Sequence, residues 1–122
     1  RVWVQRQMCR RYRFFDPDPD MVRAAALTGT DRVELYTESY ARLYDSNREK
    51  AIEPYVKAAE AASACSLGLN AGHDLNLSNI EYFQKNIMGL LEVSIGHALI
   101  CESIYLGLEN TIQLYLRHLS NF

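Results

Sequence analysis

The hydrophobic and polar positions of this chain switch repeatedly between a helical and an extended spacing over residues 16–119. Apolar residues at helical spacing predict four helical regions, which begin near Asp18, Ser46, Ser78 and Ala98. Three short runs between the helices are rich in β-branched, aromatic or uncharged residues and predict strands, at residues 31–37, 67–73 and 90–97. Strict alternation of helix and strand is typical of right-handed βαβ units, so the sequence predicts an α/β fold with a parallel sheet.

Several residues mark where the predicted helices begin and end. Asp18 can cap the first helix, Pro19 suits its first position, and Gly107 divides the last helical region into two pieces. Pro54 lies inside the second helical region and predicts either a kink or the true start of that helix. Two capping boxes are predicted, Ser46 with Glu49 and Ser78 with Glu81. These signals leave only short connections between the elements.

Two architectures fit this alternation. One is a small doubly wound sheet, and the other is part of a (β/α)₈ barrel, whose usual length of about 250 residues is roughly twice that of this chain. The pattern alone does not choose between them. Both architectures bind ligands at the carboxyl ends of their strands, so the polar residues there are candidates for a site, at residues 34–37, 70–74 and 96–97.

Composition argues against several classes of partner. Thirteen Lys and Arg residues against fifteen Asp and Glu residues give a formal net charge of −2, so neither nucleic acid nor a membrane surface is expected to bind. The three cysteines lack a Cys-x-x-Cys spacing, which argues against a disulfide framework or a zinc knuckle and fits a reducing cytoplasm. No apolar run approaches the roughly 18 residues of a membrane span, and no signal-peptide core is present at the start.

The beginning of the chain differs from the rest. Residues 1–13 contain five arginines and no acidic residue, and their pattern fits neither a helix nor a strand. Such a segment is either a basic arm for phosphate-rich partners or a stretch that is foreign to the fold. We therefore expect an arginine-rich segment at residues 1–15 and a folded unit at residues 16–122.

Polar residues at the predicted strand ends are candidates for chemistry. His73 carries an imidazole that can donate or accept a proton, although a turn made by Gly72 would equally suit a structural histidine. Gly96 and His97 precede a short helical piece whose N–H groups suit a phosphate, unless His97 merely caps that helix. Glu34 lies inside an apolar strand, so it is either catalytic or one half of an ion pair.

A metal centre is the alternative arrangement of these side chains. Suitable ligand atoms occur on Glu34, His73, Asp74 and His97. Zinc enzymes usually show two ligands at tight spacing, such as His-x-x-x-His, and this sequence has no such pair. Glu92 occupies a strand as Glu34 does but lies further from the strand end, which favours a structural role. We therefore expect no metal.

Three strand-end motifs, in this order and spacing, resemble the C-terminal half of one enzyme family, TGTDRVELYTESYA, LGLNAGHDLNLSNI and LLEVSIGHALICESIYLGLENTIQLYL. The family is pyridoxine 5′-phosphate synthase of the deoxyxylulose-dependent vitamin B6 pathway, and the resemblance covers residues 16–119. It implies a TIM (β/α)₈ barrel, of which this chain would supply the C-terminal half, about strands 5 or 6 to 8.

The resemblance also implies an activity and a set of site residues. The family condenses 3-amino-2-oxopropyl phosphate with 1-deoxy-D-xylulose 5-phosphate to give pyridoxine 5′-phosphate, phosphate and water, without a cofactor, as a cytoplasmic homo-oligomer that is an octamer. His73 resembles the family's proton donor, and Glu34 resembles its transition-state-stabilising glutamate. Asp74, Gly96 and His97 match positions that bind the aminoketone phosphate.

Other groups of the family's active site are expected to be missing here. The family's N-terminal half supplies a histidine and a glutamate that act as bases and contacts to the deoxyxylulose phosphate, whereas here only Phe14 and Phe15 resemble the end of the strand expected before residue 16. Two hypotheses follow. The chain is the C-terminal half of a pyridoxine 5′-phosphate synthase, or it is a catalytically inactive half-barrel that binds phosphate or serves assembly. We expect the isolated chain to be inactive.

Overall fold

A computed structural model describes residues 14–120, so the arginine-rich stretch at residues 1–13 lies outside the described part of the chain. It contains one sheet of four parallel strands, which are β1 (Phe14–Phe15), β2 (Arg32–Tyr36), β3 (Gly68–Gly72) and β4 (Leu90–Ser94). Six helices accompany it in these residues, namely α1 (Pro19–Ala26), α2 (Glu38–Tyr44), α3 (Arg48–Ala64), α4 (Ile80–Asn86), α5 (His97–Leu106) and α6 (Leu108–Leu119). The predicted parallel α/β fold is confirmed.

The order of the strands distinguishes the two predicted architectures. Neighbours in the sheet follow the chain order β1-β2-β3-β4 without a reversal. A doubly wound sheet reverses its strand order at a switch point, whereas the strands of a (β/α)₈ barrel follow one another around the barrel. The described sheet is therefore consistent with half of a barrel.

The two faces of the sheet carry different residues because successive side chains of a strand point to opposite sides. On the face covered by helices, Val33 pairs in register with Leu69, and both are buried. The helices contribute an aromatic cluster on this side, in which the rings of Tyr40 and Phe83 meet edge to face at 4.9 Å. The opposite face, which corresponds to a barrel interior, carries a row formed by Glu34, Asn70 and Glu92.

Several helix signals were interpreted correctly. Asp18 caps α1 by accepting a hydrogen bond from the Asp20 N–H at 2.8 Å, with Pro19 as the first residue of the helix. Gly107, with a φ of 81°, separates α5 from α6 as predicted. Pro54 lies within α3, six residues after its first residue, so it does not mark the start of that helix. None of the helices in residues 14–120 combines the length and the apolar character needed to cross a membrane.

Both predicted capping boxes are wrong. Asn47, not Ser46, caps α3, and its side chain accepts a hydrogen bond from the Lys50 N–H at 2.9 Å. The Ser46 hydroxyl instead donates to the Leu43 carbonyl at 3.0 Å, because the chain leaves α2 there. Helix α2 (Glu38–Tyr44) lies between the predicted strand at residues 31–37 and the helical region predicted from Ser46.

The second box fails for a similar local reason. The Ser78 hydroxyl donates to the side-chain oxygen of Asn76 at 2.6 Å, so it is committed to the preceding turn. Asn79 takes the cap position of α4, and no side-chain bond caps that helix. The turn at Asn76 therefore replaces the predicted box, and α4 begins at Ile80.

Candidate functional site

The middle of β2 and the carboxyl end of β3 bring a buried carboxylate next to a half-exposed imidazole. The Nδ1 atom of His73 lies 3.6 Å from the Oε1 atom of Glu34. The side chain of His73 is 53% exposed, while that of Glu34 is 5% exposed. One side of the imidazole therefore faces the carboxylate, and the other side is accessible from outside.

The environment of Glu34 disfavours its charge. Burial raises the pKa of the carboxyl above its ordinary value, the nearby imidazole of His73 and the hydroxyl of Ser94 lower it, and the charge of Glu92 raises it further. The Oε1 atom of Glu34 is buried and has no hydrogen-bond partner within the described residues. Desolvation is the largest of these effects, so the protonated form of Glu34 is more favoured than it would be for an exposed carboxyl.

The backbone at His73 is held in an unusual conformation. Its φ is 76°, in the left-handed region that L-residues other than glycine rarely occupy. The His73 N–H donates a hydrogen bond of 2.6 Å to the Ser94 carbonyl of β4. Strain of this kind clusters at functional sites, where the surrounding structure enforces it.

Gly72 is required for the close approach of β3 and β4 at this point. A Cβ atom placed on Gly72 would lie 2.2 Å from the Ser94 carbonyl oxygen, which is far inside van der Waals contact. Because Gly72 has no Cβ atom, the backbones of β3 and β4 can approach each other closely directly before His73. This is the physical reason for the first Gly–His pair of the sequence.

An open cleft of about 520 Å³ lies in front of the imidazole. Three acidic residues line it together with aromatic and hydroxyl side chains, the full set being Asp16, Tyr36, Glu38, Ser39, His73 and Asp74. The rings of Phe14 and Tyr36 lie 6.0 Å and 6.4 Å from the His73 ring, measured between centroids. The cleft thus combines an aromatic wall with carboxylates that suit an amine or hydroxyl groups rather than a phosphate.

Asp74 reaches this cleft through a contact that the sequence did not indicate. Its backbone N–H donates to the Oγ1 atom of Thr37 at 3.1 Å, and Thr37 is completely buried at the end of β2. Thr37 is the last residue of the predicted strand at residues 31–37, and no role was predicted for it. The only available signal was a hydroxyl residue directly after the strand that carries Glu34.

Gly96 and His97 lie at the next strand end, just after β4. Gly96 occupies the cap position of α5, and His97 is the first residue of that helix and is exposed. Its Nε2 atom lies 3.5 Å from the Cys101 Sγ atom, one turn later in the helix. Strands β3 and β4 are neighbours, so this helix start shares the sheet edge with His73. Within residues 14–120 no side-chain bond caps α5, which leaves its first N–H groups available.

The remaining acidic candidate forms an ion pair. Glu92 contacts Arg32 at 3.2 Å, and both side chains are substantially exposed. The pair fits the structural role predicted for Glu92. In the described residues, no group of three histidine, cysteine or acidic side chains lies close enough together to hold a metal ion.

The structure thus joins Glu34, His73 and Asp74 at one sheet edge and places Gly96 and His97 at the adjoining strand end. A parallel half-barrel with a carboxyl–imidazole pair near the carboxyl ends of its strands fits the class of (β/α)₈ barrel proteins, in which ligands bind at this end of the sheet. The chain belongs to the family described as pyridoxal phosphate biosynthesis protein PdxJ, a TIM-barrel family whose model matches residues 3–121. The matched range includes most of the arginine-rich segment.

Individual relatives agree with this assignment. A pyridoxine 5′-phosphate synthase from Flavobacterium johnsoniae is 56% identical over 115 residues, which cover 94% of this chain and 48% of the relative. Proteins of the same name from Cytophaga hutchinsonii and Bacteroides thetaiotaomicron are 62% and 59% identical, over 87% and 84% of this chain and 44% and 43% of their own lengths. The chain spans about half the length of the curated relatives it matches, and it corresponds to their C-terminal half.

Proposed function

We propose that this chain supplies one side of the active site of a pyridoxine 5′-phosphate synthase. The complete enzyme would condense 3-amino-2-oxopropyl phosphate with 1-deoxy-D-xylulose 5-phosphate and release pyridoxine 5′-phosphate, phosphate and water. The observation that carries the proposal is the Glu34–His73 pair, which lies at the strand ends of a chain that belongs to this family.

His73 would act as the proton donor. Forming a Schiff base, eliminating water and losing phosphate all require protons to move at oxygen or carbon, and an imidazole can both donate and accept a proton. Its Nδ1 atom faces Glu34, so its Nε2 atom is the one presented to the cleft. An ionised Glu34 would stabilise the imidazolium and the positive charge that develops on the amine-derived nitrogen.

The two ends of the aminoketone phosphate would bind at different places. The carboxylates of Asp16, Glu38 and Asp74 repel a phosphate but attract an amine, so the amino end would lie in the cleft. The phosphate would bind at the start of α5, where Gly96 permits close approach and the first N–H groups point outwards. His97 would add a hydrogen-bond donor there.

For the isolated chain we propose a second function, binding of phosphate without turnover. The observation that favours it is the length comparison, since the relatives contain about as many residues again as this chain matches. In the family that the chain resembles, the groups that act as bases and hold the deoxyxylulose phosphate belong to the N-terminal half. The chain would then retain the phosphate site at Gly96 and lose the reaction.

A chimera tests the enzymatic proposal. The N-terminal half of the Flavobacterium johnsoniae relative is joined to residues 14–122 of this chain, and both substrates are supplied while pyridoxine 5′-phosphate is measured. We expect the chimera to turn over, and we expect its His73→Gln variant to turn over about 10²-fold more slowly or worse. The 122-residue chain alone should show no turnover. A folded chimera without turnover would refute the proposal, and turnover by the chain alone would refute the second function.

We also propose that the complete protein is a homo-oligomer of the cytoplasm. Helix α5 exposes large apolar side chains, among them Ile100 at 57% and Ile104 at 75%, which is unusual for a surface that faces only water. Light scattering of the chimera measures its mass, and the Ile104→Glu variant should lower that mass if this face joins copies. A monomeric chimera would refute the oligomer.

A further inference from the structure

Thr37 makes two contacts that enclose His73 along the chain. Its Oγ1 atom donates a short hydrogen bond to the Gly72 carbonyl, and it accepts a hydrogen bond of 3.1 Å from the Asp74 N–H. These two backbone groups belong to the peptide bonds on either side of His73. A single hydroxyl, on the residue directly after β2, therefore holds both ends of the residue that carries the imidazole.

The position of Thr37 makes this use of its hydroxyl unusual. Thr37 occupies the cap position of α2, where a threonine side chain normally accepts a hydrogen bond from the helix N–H groups, and it makes no such bond here. Its one hydroxyl proton is donated across the sheet to Gly72, while the Asp74 carboxylate lies at 3.5 Å. The side chain is completely buried, so solvent does not compete for these bonds.

The left-handed backbone of His73 explains why such a restraint is needed. A φ of 76° is disfavoured for histidine, and it persists only where the surroundings enforce it. Besides the two bonds to Thr37, the described residues supply the bond from the His73 N–H to the Ser94 carbonyl. A relaxed φ would rotate the side chain away from Glu34 and from the rings of Phe14 and Tyr36.

We propose that Thr37 is a positioning residue, whose hydroxyl fixes His73 so that one side of the imidazole faces Glu34 and the other faces the cleft. The importance of this geometry for turnover rests on the proposed function. The geometry itself can be measured without turnover, so the two ideas can fail separately.

The test compares Thr37→Val, which keeps the shape but loses the hydroxyl, with Thr37→Ser, which keeps the hydroxyl. In the 122-residue chain, NMR should show contacts between the His73 ring and the Phe14 and Tyr36 rings in the wild type and in T37S but not in T37V. The Asp74 amide should exchange its hydrogen at least tenfold faster in T37V only. Unchanged ring contacts and exchange in T37V, or their loss in T37S, would overturn the proposal.

Kinetics of the chimera separate positioning from substrate binding. We expect T37V to lower kcat by about tenfold or more with KM changed by less than about twofold, and T37S to keep at least half of the wild-type kcat. A loss in T37V that appears only in KM would overturn the positioning role. If the wild-type chimera is inactive while the NMR differences are present, the proposed function fails and the role of Thr37 in holding His73 stands.

Discussion

Replacing Glu34 with glutamine should stabilise the fold at neutral pH while it removes the carboxylate that is proposed to stabilise positive charge in the reaction. The side chain of Glu34 is 5% exposed, and its Oε1 atom has no hydrogen-bond partner among the described residues. A buried acceptor without a partner costs about 1–3 kcal/mol, and more when it is charged; glutamine keeps the acceptor but removes the charge. The facing imidazole of His73 offsets only part of this because it is half exposed and lies at 3.6 Å. We expect the free energy of unfolding of E34Q to exceed that of the wild type by about 1–3 kcal/mol at pH 7.

The sign of the pH dependence follows from the raised pKa of Glu34. Burial is the largest cause of that rise above the ordinary value of 4.5, so the folded state binds the proton more tightly than the unfolded state. The contribution of this group to stability is therefore fully present below pH 4.5 and is lost as the pH rises through the folded-state pKa. E34Q lacks this loss. The difference in the free energy of unfolding between E34Q and the wild type should therefore be near zero at low pH and should grow as the pH rises through the folded-state pKa of Glu34.

Urea unfolding between pH 4 and pH 8 measures this difference. The matched control is Glu92→Gln, in the same row of side chains but 49% exposed and paired with Arg32. It should change the free energy of unfolding by less than about 1 kcal/mol. Parallel curves for E34Q and the wild type would show that the carboxyl is not desolvated and would refute the reasoning. In the chimera, E34Q should lower kcat by about 10²-fold.

Three further substitutions, with Gly96→Ala as a control for the first, test the backbone at Gly72 and His73 and the contact between α5 and α6. Gly72→Ala should destabilise the fold by about 1–3 kcal/mol, since its Cβ would collide with the β4 backbone, whereas Gly96→Ala should be neutral in urea unfolding because no atom lies within 4 Å. His73→Gly should raise the free energy of unfolding by up to about 1 kcal/mol by relieving the left-handed backbone, and it should abolish turnover of the chimera. Tyr115→Phe removes a hydrogen bond of 2.5 Å to Glu102 and should lower the free energy of unfolding by about 1.5–3 kcal/mol, and an unchanged urea midpoint would contradict this.

Much of the architecture could be predicted from the sequence because it depends on local chemistry. The β-branched and aromatic run around Val33 and the uncharged run around Leu69 identify strands without reference to the rest of the chain. Parallel pairing then follows from the helices between them. Since the carboxyl ends of parallel strands lie at the same end of the sheet, the proximity of Glu34 and His73 could also be predicted from the sequence.

The features that the sequence did not predict depend on competing hydrogen bonds or on contacts between residues that are distant in the chain. Ser46 and Ser78 both fit capping boxes, but neighbouring carbonyl or amide oxygens already bind their hydroxyl groups. The role of Thr37 depends on the register of β2 against β3, because its partners lie 35 or more residues away. No local sequence pattern predicts a contact between residues so far apart in the chain.

The described sheet has two edges that are formed by different strands. One edge is formed by β1 and the other by β4, and within residues 14–120 neither pairs with a further strand on its outer side. Between copies of this half-barrel taken alone, a contact that continues the parallel sheet would join β4 of one copy to β1 of the next, which is a head-to-tail contact. If the curvature of the sheet matches that of a closed cylinder, such growth stops at a ring of two copies. If it does not, every added copy exposes a fresh edge, and the same hydrogen bonds build a filament.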